Sequence, residues 1–381
     1  MLLFYIYIFS MNISPANYKT NGFTGLANLG NTCFLNSCLQ VLSHTYELHG
    51  LFDKPAVQTK IAIDSHDVRI FNEWKQLVQL MWSGNGVVKP IRFVSAVHEI
   101  AQKKDVDVFT GFAQNDVSEF LRFILNCFHN AIARPVKVNI SGKPKTNTDT
   151  LAINCYQMLS SSYSKDYSEV MELFYGISVT EIKSVSSPTS TVSSPTSTVS
   201  SPTSTVHSQK PEQYFMVDLP IPRPGTNSTT ITLLDCFDLF VAPELLTGDN
   251  MWFNEKTGHK EVVEKRTLFW SLPPVLIITL KRFETRGFHI GRINDVIDFP
   301  LISLDLSKYV EGYRANKYVY NLYAVCNHIG GPSGGHYTAY VKNESANKWI
   351  HYNDDGVSII EEPAASIVSP LAYCLFYRIV S

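Results

Sequence analysis

Charge is scarce in this chain. Only 17% of the 381 residues are Asp, Glu, Lys or Arg, and 32 basic against 34 acidic residues leave a formal net charge of −2. Without a surplus of either sign there is no general field to draw in nucleic acid or an anionic membrane, and no nucleic-acid-binding motif is present. Paired cysteines are missing as well. The seven, Cys33, Cys38, Cys127, Cys155, Cys236, Cys326 and Cys374, are odd in number and scattered, and no two stand in a C-x-x-C pair. That pattern excludes a secreted disulfide framework and points to a reducing compartment, cytoplasmic or nuclear. The opening apolar run, Met1 to Ser10, is half of the about 20 residues a membrane span needs, and it lacks the basic start and small-residue cleavage site of a signal peptide. Residues 1–22 are therefore expected to form a poorly ordered extension.

Hydrophobic residues, by contrast, make up 45% of the chain, enough for a large core in one elaborate domain over 23–381. Three identical heptads, Ser-Ser-Pro-Thr-Ser-Thr-Val from Ser186, Ser193 and Ser200, interrupt it. They carry no large hydrophobe beyond Val and cannot offset the entropy of ordering, so 184–208 is predicted to be a disordered insertion at a loop tip. From Gly25 to about Asn130 the chain reads as helical. Leu35, Cys38, Leu39 and Leu42 follow helical spacing, as do Ile70, Trp74, Leu77, Val78 and Met81, and then Val117, Phe120, Leu121, Ile124 and Phe128. Asn139 to Thr150 reads as a loop, Leu233 to Pro243 as a short helix. Strands are predicted over Gln213–Pro222, within Leu268–Phe283, and over Val319–Val325, His336–Lys342, Trp349–Tyr352 and Tyr373–Val380. Helices first and strands later make an α+β fold.

Two blocks carry chemistry. The first, Gly25-Leu-Ala-Asn28-Leu-Gly30-Asn31-Thr32-Cys33-Phe34, places a cysteine where a glycine-containing loop enters a helix. The free N–H groups and positive dipole end of such a start favour the nucleophilic thiolate. The second, Asn327-His328 through Gly334-Gly335-His336-Tyr337, feeds a strand, and a further strand from Trp349 ends at Asn353-Asp354-Asp355-Gly356. Pairing of those strands would let His336 face the turn. A thiol needs an imidazole to take its proton, and the imidazole needs a third group to fix its tautomer. Cys, then His, then Asn or Asp is the papain-like order.

Both blocks resemble the Cys and His boxes of the ubiquitin-specific proteases, papain-like deubiquitinating enzymes. Gln114-Asn-Asp116-Val-Ser-Glu119-Phe-Leu, Leu272-Pro-Pro-Val-Leu-Ile-Ile-Thr-Leu-Lys-Arg-Phe283 and Val296-Ile-Asp-Phe-Pro300 are similar to three further landmarks of that family, in order, from about Phe23 to Tyr377. The resemblance implies an α+β papain-like cysteine peptidase with a helical thumb (about 23–165) and a palm and fingers of antiparallel sheet (about 166–381), the active site lying between thumb and palm. It implies Cys33 as nucleophile, His336 as general base and acid, Asn353 as the orienting group with Asp354 a partial substitute, and Asn28 as donor to the oxyanion. Gln114, Asp116, Glu119, His328, Gly335 and Tyr337 would contact the substrate tail. The implied reaction is hydrolysis after the C-terminal Gly-Gly of ubiquitin, on lysine-linked conjugates or precursors, by a monomer whose partners are ubiquitin and ubiquitinated proteins. Many members hold a zinc ion with two C-x-x-C pairs in the fingers. Here the corresponding positions, Thr180–Ser187 and Trp252–Thr257, have no thiol, so neither metal nor organic cofactor is implied and the fingers must rely on strand pairing. Two other readings of the same constellation are a peptidase for another ubiquitin-like modifier and a ubiquitin-binding scaffold with little turnover.

Overall fold

A computed structural model describes residues 3–4, 21–61, 65–111, 113–185, 205–223, 230–287, 289–313, 318–332 and 334–380. Most of the N-terminal extension, and 186–204 of the heptad tract, lie outside the described residues. Leu3–Phe4 form a short strand paired with Ile140–Ser141.

The three helical stripes of the sequence become helices at Cys33–Ser43, Val68–Ser83 and Val117–Ile132, and a further helix, Ile91–Lys103, stands between the last two. Their apolar faces, including Leu39, Trp74, Phe93, Phe120 and Phe128, form one core with one face of a large sheet. That sheet runs in the order Gly356–Ile360, Lys348–Asn353, Gly334–Asn343, Val319–Gly331, Ala372–Ile379, Val275–Leu280, Met216–Leu219. It is antiparallel except at its last pair, Val275–Leu280 with Met216–Leu219, which is parallel. All six residues of Val275–Leu280 are buried. Val275 and Ile277 face the helices, while Leu276, Ile278 and Leu280 enter a second core capped by the Leu233–Val241 helix. A strand covered on both faces explains the near-continuous apolar run there, broken only at Thr279, with each fully buried apolar side chain contributing about 1.5–3 kcal/mol.

The Cys33–Ser43 helix departs from the one-faced pattern, since every one of its residues is buried. Polar side chains on it find acceptors within the protein, Gln40 donating to the Thr24 carbonyl at 2.8 Å and Ser43 to the Gln40 carbonyl at 2.9 Å, while the buried acceptors Asn36 Oδ1 and Gln40 Oε1 have no hydrogen-bond partner among the described residues. A helix at Asn147–Tyr163 stands where the sequence reading ended in a loop. Its signal was a capping box, Thr146 and Asp149, hidden in a polar stretch. Leu151, Cys155, Leu159 and Tyr163 pack it against Val179, Leu268 and Trp270 of a second sheet.

That second sheet has the order Val206–Tyr214, Gly176–Ser184, Val263–Ser271, Glu244–Leu246. Ser184 and Val206 to Ser208, predicted to be disordered with the heptads, close its first hairpin as strand residues. Strand pairing is supplemented by a buried carboxylate. Glu181, 3% exposed, accepts from Arg266 Nε at 2.7 Å, Lys183 Nζ at 2.8 Å and Gln209 Nε2 at 2.7 Å. Three adjacent strands are thereby tied through one side chain. At the second thiol-free position, Asn254 and Thr257 both donate to Glu261 Oε1, at 2.9 and 2.7 Å. No helix among the described residues is long and apolar enough to cross a membrane.

Candidate active site

Two stretches 326 residues apart meet in front of the Cys33–Ser43 helix. Gly25–Leu26 is a short strand paired with Val87–Val88 on one side. On the other, the Leu26 amide donates to the Asp354 carbonyl at 2.8 Å. A Cβ on Gly25 would stand 2.4 Å from the Asp355 carbonyl oxygen, so only glycine lets the cysteine loop and the Asn353–Gly356 turn approach this closely. Gly30 and Asn31, both at positive φ, then swing the loop into the helix.

The sequence-predicted groups converge there. His336 and Asn353 sit on neighbouring strands, and His336 Nε2 lies 2.6 Å from Asn353 Oδ1. An amide oxygen can only accept, so Nε2 carries the proton and Nδ1 keeps its lone pair for a base. Cys33, 2% exposed, holds its thiol against the backbone of Tyr337, the residue after His336. No hydrogen bond joins Cys33 to His336 among the described residues; the adjacency of Tyr337 brings them together. The helix-start amides pull the thiol's pKa down, yet the net shift is upward and not the lowering predicted. Burial pushes it above the ordinary value of 9.0, Asp354 pushes it further, and backbone bonds from Tyr337 and Phe34 recover only part.

Asn28 is exposed and tightly oriented. Its Oδ1 accepts from the Gly30 and Thr32 amides at 2.9 and 3.2 Å, and its Nδ2 donates to Asp354 Oδ2 at 2.9 Å. Asp354 Oδ1 accepts from Asn36 Nδ2 at 2.8 Å. Both carboxylate oxygens of Asp354 thus serve amides of the cysteine segment and neither reaches the imidazole, unlike the sharing predicted for it.

The substrate-contact residues divide. Gln114 Oε1 accepts from the Gly335 amide at 2.8 Å and fills the space where a Gly334 side chain would project. Asp116 caps the Val117–Ile132 helix through Ser118 N at 2.7 Å, and its second oxygen accepts from the hydroxyls of Tyr337 at 3.1 Å and Tyr373 at 2.7 Å. Its acceptors are spent on joining the helical layer to the sheet. Tyr337 is buried and Asp116 half-buried. Glu119 is exposed and has no ion-pair partner among the described residues. His328, read as a loop histidine, lies in the Val319–Gly331 strand at 3% exposure beside Gly335, where a half-buried arginine, Arg292, reaches it. Sequence reasoning missed Asn36, Tyr373 and Arg292. Asn36 stood one helical turn after Cys33 and was available to periodicity; nothing in the spacing marked the other two.

The arrangement offers a shielded sulfur, an imidazole with a free Nδ1, an oriented amide donor and a glycine-floored approach. Those are the parts of nucleophilic acyl substitution.

Comparison with known proteins agrees on the family. The model described as ubiquitin carboxyl-terminal hydrolase matches residues 24–377. Ubiquitin carboxyl-terminal hydrolase 2 of Bos taurus is 33% identical over 374 residues, covering 95% of this chain and 56% of that protein. The Gallus gallus protein of the same name is 32% identical over 377 residues, covering 97% of each. The chain thus spans little more than half the length of the mammalian relatives it matches. In fold it is similar to the SAGA Ubp8/Sgf11/Sus1/Sgf73 DUB module bound to ubiquitin aldehyde, with a TM-score of 0.68 and 22% identity over 96% of this chain and 71% of that one.

Proposed function

The chain belongs to the ubiquitin carboxyl-terminal hydrolase family, and from that premise and the geometry above we propose that it is a cysteine-type deubiquitinase that hydrolyses the bond after the C-terminal Gly-Gly of ubiquitin. The observation that carries this is the His336–Asn353 bond at 2.6 Å beside the buried Cys33 thiol. His336 Nδ1 takes the thiol proton as sulfur attacks the glycine carbonyl carbon. Asn28 Nδ2, which has a second N–H beyond the one given to Asp354, donates to the oxyanion. The imidazolium returns its proton to the leaving lysine amine as the C–N bond breaks. Water, deprotonated by the same imidazole, then attacks the thioester and releases the carboxylate and the thiol. Gly334 and Gly335, with Gln114 against them, leave a passage suited to a substrate chain without Cβ atoms. The exposed Glu119 is placed for the basic tail of ubiquitin.

Ubiquitinated proteins are the substrates in this reading, and the enzyme acts as a monomer in a reducing compartment. Seven free cysteines support the compartment, among them Cys326 and Cys374, which face each other across paired strands and remain unjoined.

The test is treatment with ubiquitin bearing a C-terminal electrophile. A single adduct, abolished by Cys33→Ala and kept by Cys38→Ala, is expected. Absence of any adduct, or a preference for another ubiquitin-like modifier across a panel of such probes, would overturn the reading.

A further inference from the structure

The hairpin of Phe283–Arg286 and His289–Arg292 ends at Arg292, whose guanidinium Nη1 lies 2.7 Å from His328 Nδ1. Arg292 Nη2 donates to the His328 carbonyl at 2.8 Å and the Pro370 carbonyl at 3.1 Å, and Nη1 also to the Gly330 carbonyl at 3.4 Å. A guanidinium has donors only, so Nδ1 of His328 must accept and the neutral ring must carry its proton on Nε2.

That Nε2 has no partner among the described residues, although the side chain is 97% shielded. It points at the backbone of Gly335, where an added Cβ would stand 2.5 Å from it. Gly335 also receives Gln114 and precedes His336. An unused N–H is therefore held at the floor of the passage that leads to the base.

We infer that Arg292 is a positioning residue which fixes His328 as its Nε2–H tautomer, a donor to a backbone carbonyl of the Gly-Gly tail. This rests on the hydrolase reading of the site and names a specificity element within it. The groups facing His328 are consistent with a neutral ring. Burial and then the Arg292 cation hold its pKa below the ordinary 6.5, while Asp116 pulls the other way. Tyr337 and Tyr373, with ring centroids 4.6 and 5.9 Å from the imidazole, complete the surroundings with Phe283 at 5.7 Å.

The arrangement predicts a pH signature. Without the Arg292 cation, His328 is free to take the other tautomer at high pH and loses its donor. At low pH it protonates and carries N–H on both nitrogens, so the donor returns. The experiment measures ubiquitin binding to Cys33→Ala protein, which removes the thiol from the titration, at pH 8 and pH 5.5. Relative to Arg292-intact protein at the same pH, Arg292→Met should weaken binding about threefold to tenfold at pH 8, the worth of one hydrogen bond, and less than about twofold at pH 5.5. On a His328→Ala background the same substitution should change binding less than about twofold at either pH, because its route is gone. Arg292→Lys keeps a donor and the charge, and should bind within about twofold of the intact protein at both values. Equal losses at the two pH values, full additivity with His328→Ala, or failure of Arg292→Lys to restore binding would overturn the assignment and leave Arg292 a strut of the hairpin. If the Arg292-intact protein neither binds ubiquitin nor forms the electrophile adduct, the hydrolase reading fails first and takes this one with it.

Discussion

Asp354 offers the sharpest test of how the site is held. Its φ of 51° is a conformation that asparagine adopts as readily, so Asp354→Asn should keep the turn and the bond from the Leu26 amide to its carbonyl. What changes is the side chain. The carboxylate presents two acceptors, and both are used, by Asn36 at 2.8 Å and Asn28 at 2.9 Å. A carboxamide presents one acceptor and turns an NH2 toward the other amide, which is also a donor. Asn36 is 2% exposed and is held besides by the Leu26 and Ala27 carbonyls, so it keeps the acceptor. Asn28, at the surface, is released.

A hydrogen bond to a charged group contributes about 1.5–3 kcal/mol, and removing an oxyanion donor outright costs about 2.7–4 kcal/mol. A donor that is loosened and still present should lose part of the latter, which converts to a fall in kcat of about 10- to 100-fold. KM should move little, because Asn28 acts on charge that develops only in the transition state. A second readout has the opposite sign. Asp354 raises the Cys33 pKa, so its neutralisation should increase the thiolate fraction and speed iodoacetamide alkylation at fixed pH. The assay pairs hydrolysis of a ubiquitin C-terminal fluorogenic substrate with the alkylation rate. A kcat within twofold of the unmodified enzyme would refute the clamp, as would an Asn28→Ala effect that stays undiminished on the Asp354→Asn background.

Four further outcomes follow from the same geometry. Alkylation of Cys33 in the free enzyme should rise with pH to a midpoint above the ordinary thiol value of 9.0, since burial raises its pKa; a plateau already reached at neutral pH would contradict this. Asn353→Ala removes the acceptor that orients His336 and should lower kcat about 10²- to 10⁴-fold at nearly constant KM, measured on the same substrate. Asp116→Ala removes a helix cap and strands the hydroxyls of buried Tyr337 and half-buried Tyr373, so denaturant unfolding should show a loss of about 3 kcal/mol or more, and a loss under about 1 kcal/mol would show that they find other partners. For Glu181 burial works against the charge, but Lys183, Arg266 and Gln209 outweigh it and hold its pKa below the usual 4.5. Its contribution to the fingers is therefore complete above that value and fades as pH falls through the lowered one, which hydrogen exchange of Gly176–Ser184 should register and Glu181→Gln should abolish.

How far the sequence could be read depends on what each residue answers to. Helices with one apolar stripe, such as Val117–Ile132 with Phe120, Ile124 and Phe128 facing the core, are visible because burial and periodicity coincide. The Asn147–Tyr163 helix was not, since its contacts are made with strands far along the chain and its polar start imitates a loop. Among the site residues, Cys33, His336 and Asn353 could be named because their chemistry restricts the residue types and their order. Asp354 and Asp116 were placed near the right chemistry with the wrong partners. An acid beside an amide donor and an acid beside an imidazole look identical in sequence; which bond forms depends on the orientation of a turn at positive φ. Arg292 was illegible altogether, because a guanidinium aimed at a histidine 36 residues away leaves no local pattern.

The raised thiol pKa bears on how such a site works. A helix start and a nearby imidazole argue for a standing thiolate, yet Cys33 is buried and the Asp354 carboxylate opposes its charge. The same carboxylate holds Asn28 where the oxyanion would form. One residue therefore resists negative charge on sulfur and orients the donor that receives it on oxygen. Because the thiol stays neutral until His336 takes its proton during attack, negative charge need not stand on sulfur beside Asp354 and develops instead on the substrate oxygen in front of the Asn28 amide. Charge developing on oxygen is where preorganised donors act most strongly. A neutral resting thiol also gives free Cys33 little reactivity toward oxidants, which act on the thiolate. Substitution of Asp354 should therefore shift both properties together, raising reactivity toward small electrophiles while lowering turnover of ubiquitin conjugates.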